Sequence, residues 1–186
     1  MTYDELKALI EQRGVHPEFG EPGENFGIEQ NPRELATFLV RMQELGVASV
    51  LEIGTGYKGG LSRFLAQDMG WDVTTVDVQN YGHAFEGVHY IVGAGKVGFI
   101  HKFDLVFIDG DHSHDSVKTD YEVYGIYATK VIAFHDIAGL RSCEGVRNFW
   151  KKLTRTGYGA TAQIVNPPYF KIIESKKPAG IGWIEL

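Results

Sequence analysis

The sequence predicts an α/β protein with an open, doubly wound, mostly parallel sheet that carries helices on both faces. Short apolar runs of strand length alternate with amphipathic segments of helix length over most of the chain. One of these runs passes into a helix through a glycine-rich turn, as in nucleotide-binding sheets. Towards its end the chain changes to short apolar runs separated by proline-containing turns, which predict an antiparallel C-terminal hairpin.

Composition limits the number of domains and the classes of function. The 186 residues suffice for one buried core, and we expect a single domain over residues 1–186. The net charge of −6 includes no block of basic residues, so nucleic acid is not an expected partner. The single cysteine, Cys143, excludes an intramolecular disulfide, and no apolar run reaches the length of a membrane span. We expect a cytoplasmic protein away from membranes, and the sequence leaves a homo-oligomer open.

The N-terminal part of the chain predicts a helix followed by a loop. An amphipathic helix is expected over Tyr3–Arg13, and the Gly- and Pro-rich segment Gly14–Gln30 follows it. A loop of this length next to a sheet is able to close over a ligand, so we expect residues 1–30 to cover the site.

The next helix and the alternating elements follow in order. Asn31 suits an N-cap, Pro32 the first helical position, and Glu34 the third. The predicted parallel strands are Ala48–Ile53, Asp72–Asp77, His89–Val92, Phe103–Ile108 and Lys130–Phe134. The predicted helices among and after them are Gly60–Met69, Ala94–His101, Ser113–Tyr124 and Glu144–Thr154. The predicted C-terminal strands are Ala162–Val165, Tyr169–Ile173 and Ile181–Ile184.

The glycine-rich turn has the composition of a nucleotide-binding loop. It reads VLEIGTGYKGG, from Val50 to Gly60. Glycines permit a tight turn and let a ligand approach the free N–H groups at a helix start. Asp77 ends the next predicted strand, where its carboxylate is placed to accept hydrogen bonds from ribose hydroxyls.

The spacing Gly54-x-Gly56-x-x-Gly59 also matches the dinucleotide fingerprint, so NAD is an alternative ligand. Two features instead resemble the loop of class I methyltransferases. Glu52 stands two places before the first glycine, and a long helix-and-loop segment precedes the strand. A glycine turn that binds nothing is the third interpretation.

Polar side chains follow the fourth and fifth predicted strands. Asp109, Asp111 and His112 come after the fourth strand, and His135 and Asp136 come after the fifth. Because neighbouring parallel strands end at the same edge, we expect these groups to converge at the ligand crevice. Carboxylates with imidazole suit Mg²⁺ or Mn²⁺, and such an ion would activate an acceptor hydroxyl. The two aspartates after the fourth strand have a simpler alternative role, which is to cap the following helix.

Three motifs in this order resemble a small family of S-adenosylmethionine-dependent class I methyltransferases. They are FDLVFIDGDHSHDSVKTDYEVYG, VIAFHDI and EGVRNFWKKL, in a stretch of similarity from about Gln30 to Trp150. The chain is more distantly similar to catechol and macrolide-sugar O-methyltransferases. The resemblance implies the seven-stranded, Rossmann-like methyltransferase fold and methyl transfer from S-adenosylmethionine to a small-molecule acceptor, at a hydroxyl oxygen.

The resemblance also implies roles for individual residues. By the resemblance, Glu52, Gly54, Gly56 and Asp77 fall on cofactor-binding positions, and the full expected cofactor-binding set also includes Gln30, Val78, Ala94 and Asp109. By the same resemblance, Asp109, His135 and Asp136 are the expected metal ligands. Methyl transfer itself needs a group that removes the acceptor proton, so the expected catalytic residues are His112 or His135 as the base, with Asp109. The metal-dependent relatives carry Asp-Asp or Asp-Asn where this chain has His135-Asp136. A metal-free reaction with a histidine base is therefore the alternative to a reaction assisted by Mg²⁺ or Mn²⁺.

Two further functions compete with methyl transfer. Gly110-Asp111-His112 and His135-Asp136 resemble pieces of phosphoesterase sites, which suggests a metal-dependent hydrolase but leaves the glycine loop and Asp77 without a role. The other competitor is a relative that binds the cofactor and catalyses no reaction. Phe149 and Trp150 either line an acceptor pocket or pack in the core.

Overall fold

The computed structural model describes residues 1–15, 26–93, 97–138, 141–155, 162–165 and 179–186. Its helices are α1 (Tyr3–Arg13), α2 (Pro32–Glu44), α3 (Gly60–Gln67), α4 (His114–Tyr124) and α5 (Glu144–Arg155). Its strands are β1 (Ser49–Ile53), β2 (Asp72–Asp77), β3 (Val88–Val92), β4 (Phe103–Ile108), β5 (Ala128–Phe134), β6 (Ala162–Val165) and β7 (Ile181–Glu185). Among these described residues, no helix has both the length and the apolar composition that a bilayer crossing requires.

The strands form one sheet in the order β3-β2-β1-β4-β5-β7-β6. The pairs from β3 to β5 are parallel, whereas β7 is antiparallel to both β5 and β6. The predicted doubly wound sheet with an antiparallel C-terminal hairpin is therefore confirmed. The strand order reverses between β1 and β4, and ligands of such sheets bind at the carboxyl ends of the strands beside this switch point.

Each face of the sheet packs into its own core. In β4, Leu105 and Phe107 face the core shared with α1, α2 and α3, whereas Val106 and Ile108 face the core shared with α4 and α5. Because helices cover both faces, the central strands are apolar at nearly every position. On α5, the buried face consists of Val146, Phe149, Trp150 and Leu153 at helical spacing, and Trp150 retains only 3% exposure.

Helix α2 is tied to β7 at both of its ends. Asn31 caps α2 as predicted, because its Oδ1 accepts the N–H of Arg33 at 3.0 Å. The buried carboxylate of Glu34 does not close a capping box but accepts the Gly180 N–H at 2.8 Å, and burial raises the pKa of Glu34 to about 7. At the other end, Arg41 Nε and Nη2 each donate to Glu185 over 2.8 Å.

One predicted helix is wrong, and parts of other predictions lie outside the described residues. Residues 97–101 of the predicted helix Ala94–His101 are irregular, and Phe99 packs its ring against Phe103 and Tyr127, each at 5.3 Å. Glycine is a poor helix former, and this stretch contains two glycines after Gly93. Ala94, the strand Tyr169–Ile173 and most of the loop Gly14–Gln30 lie outside the described residues.

Candidate active site

The glycine loop after β1 lies directly on the end of β4. Gly54, Gly56 and Gly59 have φ angles of 94°, 69° and 60°, in the left-handed region that glycine tolerates. A side chain at Gly54 would collide with the backbone carbonyl of Asp109. The absence of a Cβ therefore brings the loop and the β4 end together.

Asp77, at the end of β2, holds the glycine loop in place. Its Oδ2 accepts the N–H groups of Thr55 at 2.9 Å and Gly56 at 3.1 Å. Its Oδ1 accepts the Gln79 N–H at 2.8 Å. A carboxylate oxygen accepts two hydrogen bonds, so Oδ1 retains capacity for one more donor. Asp77 thus positions the loop and still presents an acceptor. The sequence predicted the acceptor but not the role in holding the loop.

Glu52 lies beneath the loop and is almost completely buried, with 2% exposure. It accepts a hydrogen bond from the Ser62 hydroxyl. Burial, assisted by the negative charges of Asp109 and Asp77, raises the pKa of Glu52 to about 8. The residue lines a small cavity of about 30 Å³ between the glycine loop and residues 27–30. A cationic group bound there would favour the ionised carboxylate.

The segment that precedes α2 packs against the same loop. A side chain at Gly60 would meet the backbone of Phe26 and Gly27 at 2.7 Å. The Gln30 amide Nε2 donates to Asp109 Oδ2 over 2.6 Å. Glu29 places its carboxylate oxygens 3.8 Å from where a Gly56 Cβ would stand. The described residues 26–30 thus form one wall of the glycine-loop region.

The main cavity has a volume of about 840 Å³ and extends over the strand ends from β2 to β5. Asp77 and Val78 line it beside β2, and His112, Asp136 and Cys143 line it beside β4 and β5. The Val78 side chain is exposed, at 68%, and presents an apolar surface at this edge.

Four predicted residues form a chain of contacts beside β4 and β5. His135 Nδ1 lies 3.1 Å from Asp109 Oδ1 and 3.5 Å from Asp136 Oδ2. The same Asp136 oxygen lies 3.0 Å from His112 Nε2. Asp136 has a φ of 60°, a backbone conformation that costs a non-glycine residue about 1–2 kcal/mol. Four of the five side chains expected at these strand ends are thus in contact, whereas Asp111 is not part of this chain.

The charges in this group stabilise one another. Burial lowers the pKa of His135, but the charges of Asp109 and Asp136 outweigh it and raise this pKa well above its ordinary value. The hydrogen bond to Asp136 raises the pKa of His112. Burial opposes ionisation of Asp136, yet its ion pair with His135 and its bond to His112 hold its pKa far below the usual range. The two carboxylates on either side of His135 Nδ1 therefore favour its protonated form, against the effect of burial.

Asp111, Phe149 and Trp150, which the sequence left open between a functional and a structural role, take part in a turn or in the core. Ser113, whose hydroxyl accepts the Ser116 N–H, is the N-cap of α4, so neither Asp109 nor Asp111 has that position. Asp111 instead accepts the Ser113 N–H at 2.6 Å and shapes the turn before the helix. Phe149 and Trp150 belong to the core and do not line the main cavity.

Several residues of the site were missed from the sequence. Cys143 Sγ lies 3.5 Å from His112 Nδ1, and Asp120 and Glu29 line the main cavity. His83, to which no role was assigned, has its Nε2 3.1 Å from the Gly56 carbonyl oxygen and stacks on Phe85. Asp120 stands four residues after Ser116, so helical spacing predicts that both residues lie on the same face of α4. No local pattern predicts the contacts of Cys143, Glu29 and His83.

Comparison with known proteins supports the fold. No protein-family model matches the chain, and no curated protein sequence matches it. Among solved structures, the chain is similar to the O-methyltransferase from Bacillus cereus in complex with S-adenosylhomocysteine, with a TM-score of 0.56 and 16% identity over 99% of this chain and 90% of the other.

Two further solved structures extend the comparison. The methyltransferase MycE of the mycinamycin biosynthetic pathway, in complex with Mg, S-adenosylhomocysteine and mycinamycin VI, has a TM-score of 0.61 and 15% identity over 100% of this chain and 54% of MycE. The S-adenosylhomocysteine-bound methyltransferase PaMTH1 of Podospora anserina has a TM-score of 0.52 and 13% identity over 98% of this chain and 86% of the other. The chain has the fold of these methyltransferases and spans about half the length of MycE.

Proposed function

We propose that this protein transfers a methyl group from S-adenosylmethionine to a hydroxyl oxygen of a small molecule. The observation that carries the proposal is a single cavity that joins Asp77 and the glycine loop to the group formed by Asp109, His112, His135 and Asp136. A methyl donor held at the loop would face side chains that hold and accept protons. The solved structures with this fold and bound S-adenosylhomocysteine support the choice of cofactor.

The glycine-loop half offers a partner for each part of the cofactor. Asp77 would accept a ribose hydroxyl at Oδ1, and the exposed Val78 side chain would face the adenine. Glu52 and Glu29 border the small cavity and would face the methionine ammonium group. Gly54 and Gly56 would let the cofactor approach the backbone.

We also propose that residues 1–30 cover the bound cofactor. Gln30 donates a hydrogen bond to Asp109 Oδ2 and would influence the cofactor through that residue. Ala94 stays a candidate for cofactor binding. The wall formed by residues 26–30 supports this arrangement.

In this scheme His112 is the base. It lines the cavity with 39% side-chain exposure, whereas His135 has only 5% and holds its Nδ1 between two carboxylates. If Nε2–H donates to Asp136, Nδ1 is the basic nitrogen, as in other oriented histidine–carboxylate pairs. His135 and Asp109 then act as positioning residues that fix Asp136.

Bound S-adenosylmethionine supplies an electrophilic methyl group on a sulfonium sulfur. The acceptor hydroxyl gives its proton to His112 Nδ1, and its oxygen forms the new bond to the methyl carbon. S-adenosylmethionine would supply the methyl group and keep the electron pair of the broken carbon–sulfur bond on sulfur, so the products would be a methyl ether and S-adenosylhomocysteine. The protein contributes mainly alignment and removal of the acceptor proton.

A divalent cation is the second candidate for activating the acceptor. Asp109, His135 and Asp136 each offer a ligand atom, and these atoms lie within 4.8 Å of one another. Two carboxylates and an imidazole fit Mg²⁺ or Mn²⁺, which would lower the pKa of a bound hydroxyl. The ion must displace the proton that His135 Nδ1 shares with Asp109. Titration of either ion into chelator-treated protein, with and without S-adenosylhomocysteine, tests this candidate, and absence of binding removes it.

Parallel calorimetry with S-adenosylmethionine, S-adenosylhomocysteine and NAD tests the cofactor. We expect the first two to bind and NAD not to bind, and tight NAD binding without a response to S-adenosylhomocysteine would overturn the proposal. Transfer of a labelled methyl group to a panel of hydroxyl compounds then separates an enzyme from a relative that only binds the cofactor. Release of phosphate from phosphoesters by protein without S-adenosylmethionine would instead favour the hydrolase.

A further inference from the structure

A thiol, an imidazole and a carboxylate meet at the β4–β5 side of the main cavity. His112 follows β4, Asp136 follows β5, and Cys143 ends the short 3₁₀ helix before α5. His112 Nε2 is 3.0 Å from Asp136 Oδ2, and His112 Nδ1 is 3.5 Å from Cys143 Sγ. One ligand atom from each of the three residues lies within 4.8 Å of the other two.

A metal ion would bind only one nitrogen of His112, and the two short distances belong to different nitrogens. The relevant spacing is therefore the 4.8 Å within which one ligand atom of each residue lies from the other two. Zinc bonds of about 2.0–2.3 Å in a tetrahedral site place neighbouring ligand atoms about 3.3–3.8 Å apart. Cys143 and Asp136 are buried, with 3% and 6% exposure, whereas His112 is half-buried and lines the cavity. A movement of the His112 side chain by about an ångström would therefore bring the three atoms to bonding distance. The remaining coordination position would face the cavity.

Backbone packing, and not a chance contact of flexible side chains, brings the three residues together. A side chain at Gly145 would collide with the backbone of residues 112–114, so the start of α5 rests directly on the His112 turn. Asp136 keeps a left-handed backbone, with a φ of 60°, immediately after β5. Both features fix the approach of the elements that carry the three donors.

We propose that Cys143, His112 and Asp136 bind a divalent transition metal such as Zn²⁺ or Co²⁺. A thiolate ligand favours these ions over Mg²⁺, and three protein ligands with one open position form a catalytic type of site. Coordination breaks the Cys143 S–H bond, and the proton leaves to solvent. The site shares Asp136 with the triad of Asp109, His135 and Asp136 but differs from it in its sulfur ligand. Metal binding does not depend on S-adenosylmethionine. It would, however, occupy His112, so the metal-bound form and the form in which His112 is the base of the proposed methyl transfer are alternatives.

Cobalt titration of the full, chelator-treated chain tests the proposal, because a cobalt–thiolate bond gives a charge-transfer band in the near ultraviolet. We expect the band in the wild-type protein and its loss when Zn²⁺ is added, with no effect of Mg²⁺ at the same concentration. Cys143→Ser should remove the band and weaken Zn²⁺ binding about tenfold or more, since loss of even an outer partner costs that much. Asp109→Asn is the matched control, since Asp109 belongs only to the other triad, and it should keep the band.

Four results would overturn the proposal. They are no band in the wild type, a band that survives Cys143→Ser, a band that Asp109→Asn removes, and equal competition by Mg²⁺. Because Cys143 is buried, its serine variant needs a circular dichroism check of folding. If that variant does not fold, alkylation of the wild-type thiol decides the matter. Zn²⁺ should slow labelling of Cys143 more in the wild type than in His112→Gln protein. Equal rates with and without Zn²⁺ in the wild type, or equal protection in the two proteins, would overturn the site.

Discussion

The two halves of the cavity are built from different parts of the chain. At β1 and β2 the cavity wall is shaped by glycines at positive φ and by backbone amide groups that Asp77 holds. At β4 and β5 it is formed by side chains whose charges depend on one another, with Asp136 between two histidines. The first half should therefore be sensitive to added volume, and the second to a change of charge at constant volume.

Asp136→Asn tests the charge-dependent half, and we expect the largest effect from it. The amide keeps the shape of the side chain but no longer raises the pKa of His135 or of His112. Methyl transfer to a hydroxyl acceptor should fall by about 10²–10⁴-fold, the usual contribution of a general base. Calorimetry should show an almost unchanged affinity for S-adenosylhomocysteine. An equal loss of affinity and rate would contradict the view that the two halves of the cavity have separate roles in cofactor binding and proton removal.

Gly54→Ala tests the volume-dependent half. The new methyl group would collide with the Asp109 carbonyl, so we expect cofactor binding to be lost and unfolding to become easier by about 3 kcal/mol. Gly82→Ala is the matched control, because Gly82 also has a positive φ, 72°, but a Cβ there meets no atom within 4 Å. The control should lose only about 1–2 kcal/mol of stability from its backbone strain and bind the cofactor normally. Equal affinities in the two variants would show that loop contact with β4 is unimportant.

Asp77→Ala should weaken binding of S-adenosylhomocysteine by about 1.5–3 kcal/mol, the scale of a lost charged hydrogen bond. The variant removes an acceptor for the ligand and also the group that holds the Thr55 and Gly56 amides. Asp72→Ala, at the exposed start of the same strand, is the control and should bind as the wild type does. Unchanged calorimetric affinity in Asp77→Ala would mean that the ribose is held elsewhere.

Glu52→Gln should change how stability depends on pH. The buried carboxyl keeps its proton up to about pH 8 in the folded protein, whereas its ordinary pKa is 4.5. Between these values the folded state binds more protons than the unfolded state, so stability falls as pH rises, by about 1 kcal/mol per unit from this group. Urea unfolding at pH 5 to 8 should give a shallower decline for Glu52→Gln than for the wild type. Some decline should persist in the variant, because the raised pKa values of Glu34, His112 and His135 act in the same direction. Parallel curves would argue against a protonated Glu52.

The sequence predicted the strands more completely than the contacts between loops. The bounds of β2 and β4 agree with the prediction, because apolar runs buried on both faces are bounded by polar residues. The meeting of Asp109, His135 and Asp136 followed from the rule that adjacent parallel strands end at one edge. The contact of Cys143 with His112 depends on how α5 packs on the β4–α4 turn, which periodicity does not encode.

A similar limit applies to Glu34. Its position suited a helix N-terminus, yet its carboxylate bonds Gly180, 146 residues along the chain. Local rules predict which residues favour a cap but not which distant N–H group competes for the oxygen.

The position of β7 has a consequence for synthesis of the chain. It is the last described strand in sequence, yet it lies inside the sheet, where it pairs with β5 on one side and β6 on the other. A chain that emerges from the ribosome in order therefore presents β5 with an unpaired edge until residues 181–185 follow. Such an edge is a template for pairing with another molecule, so nascent chains that stall before this strand are the species most prone to aggregate.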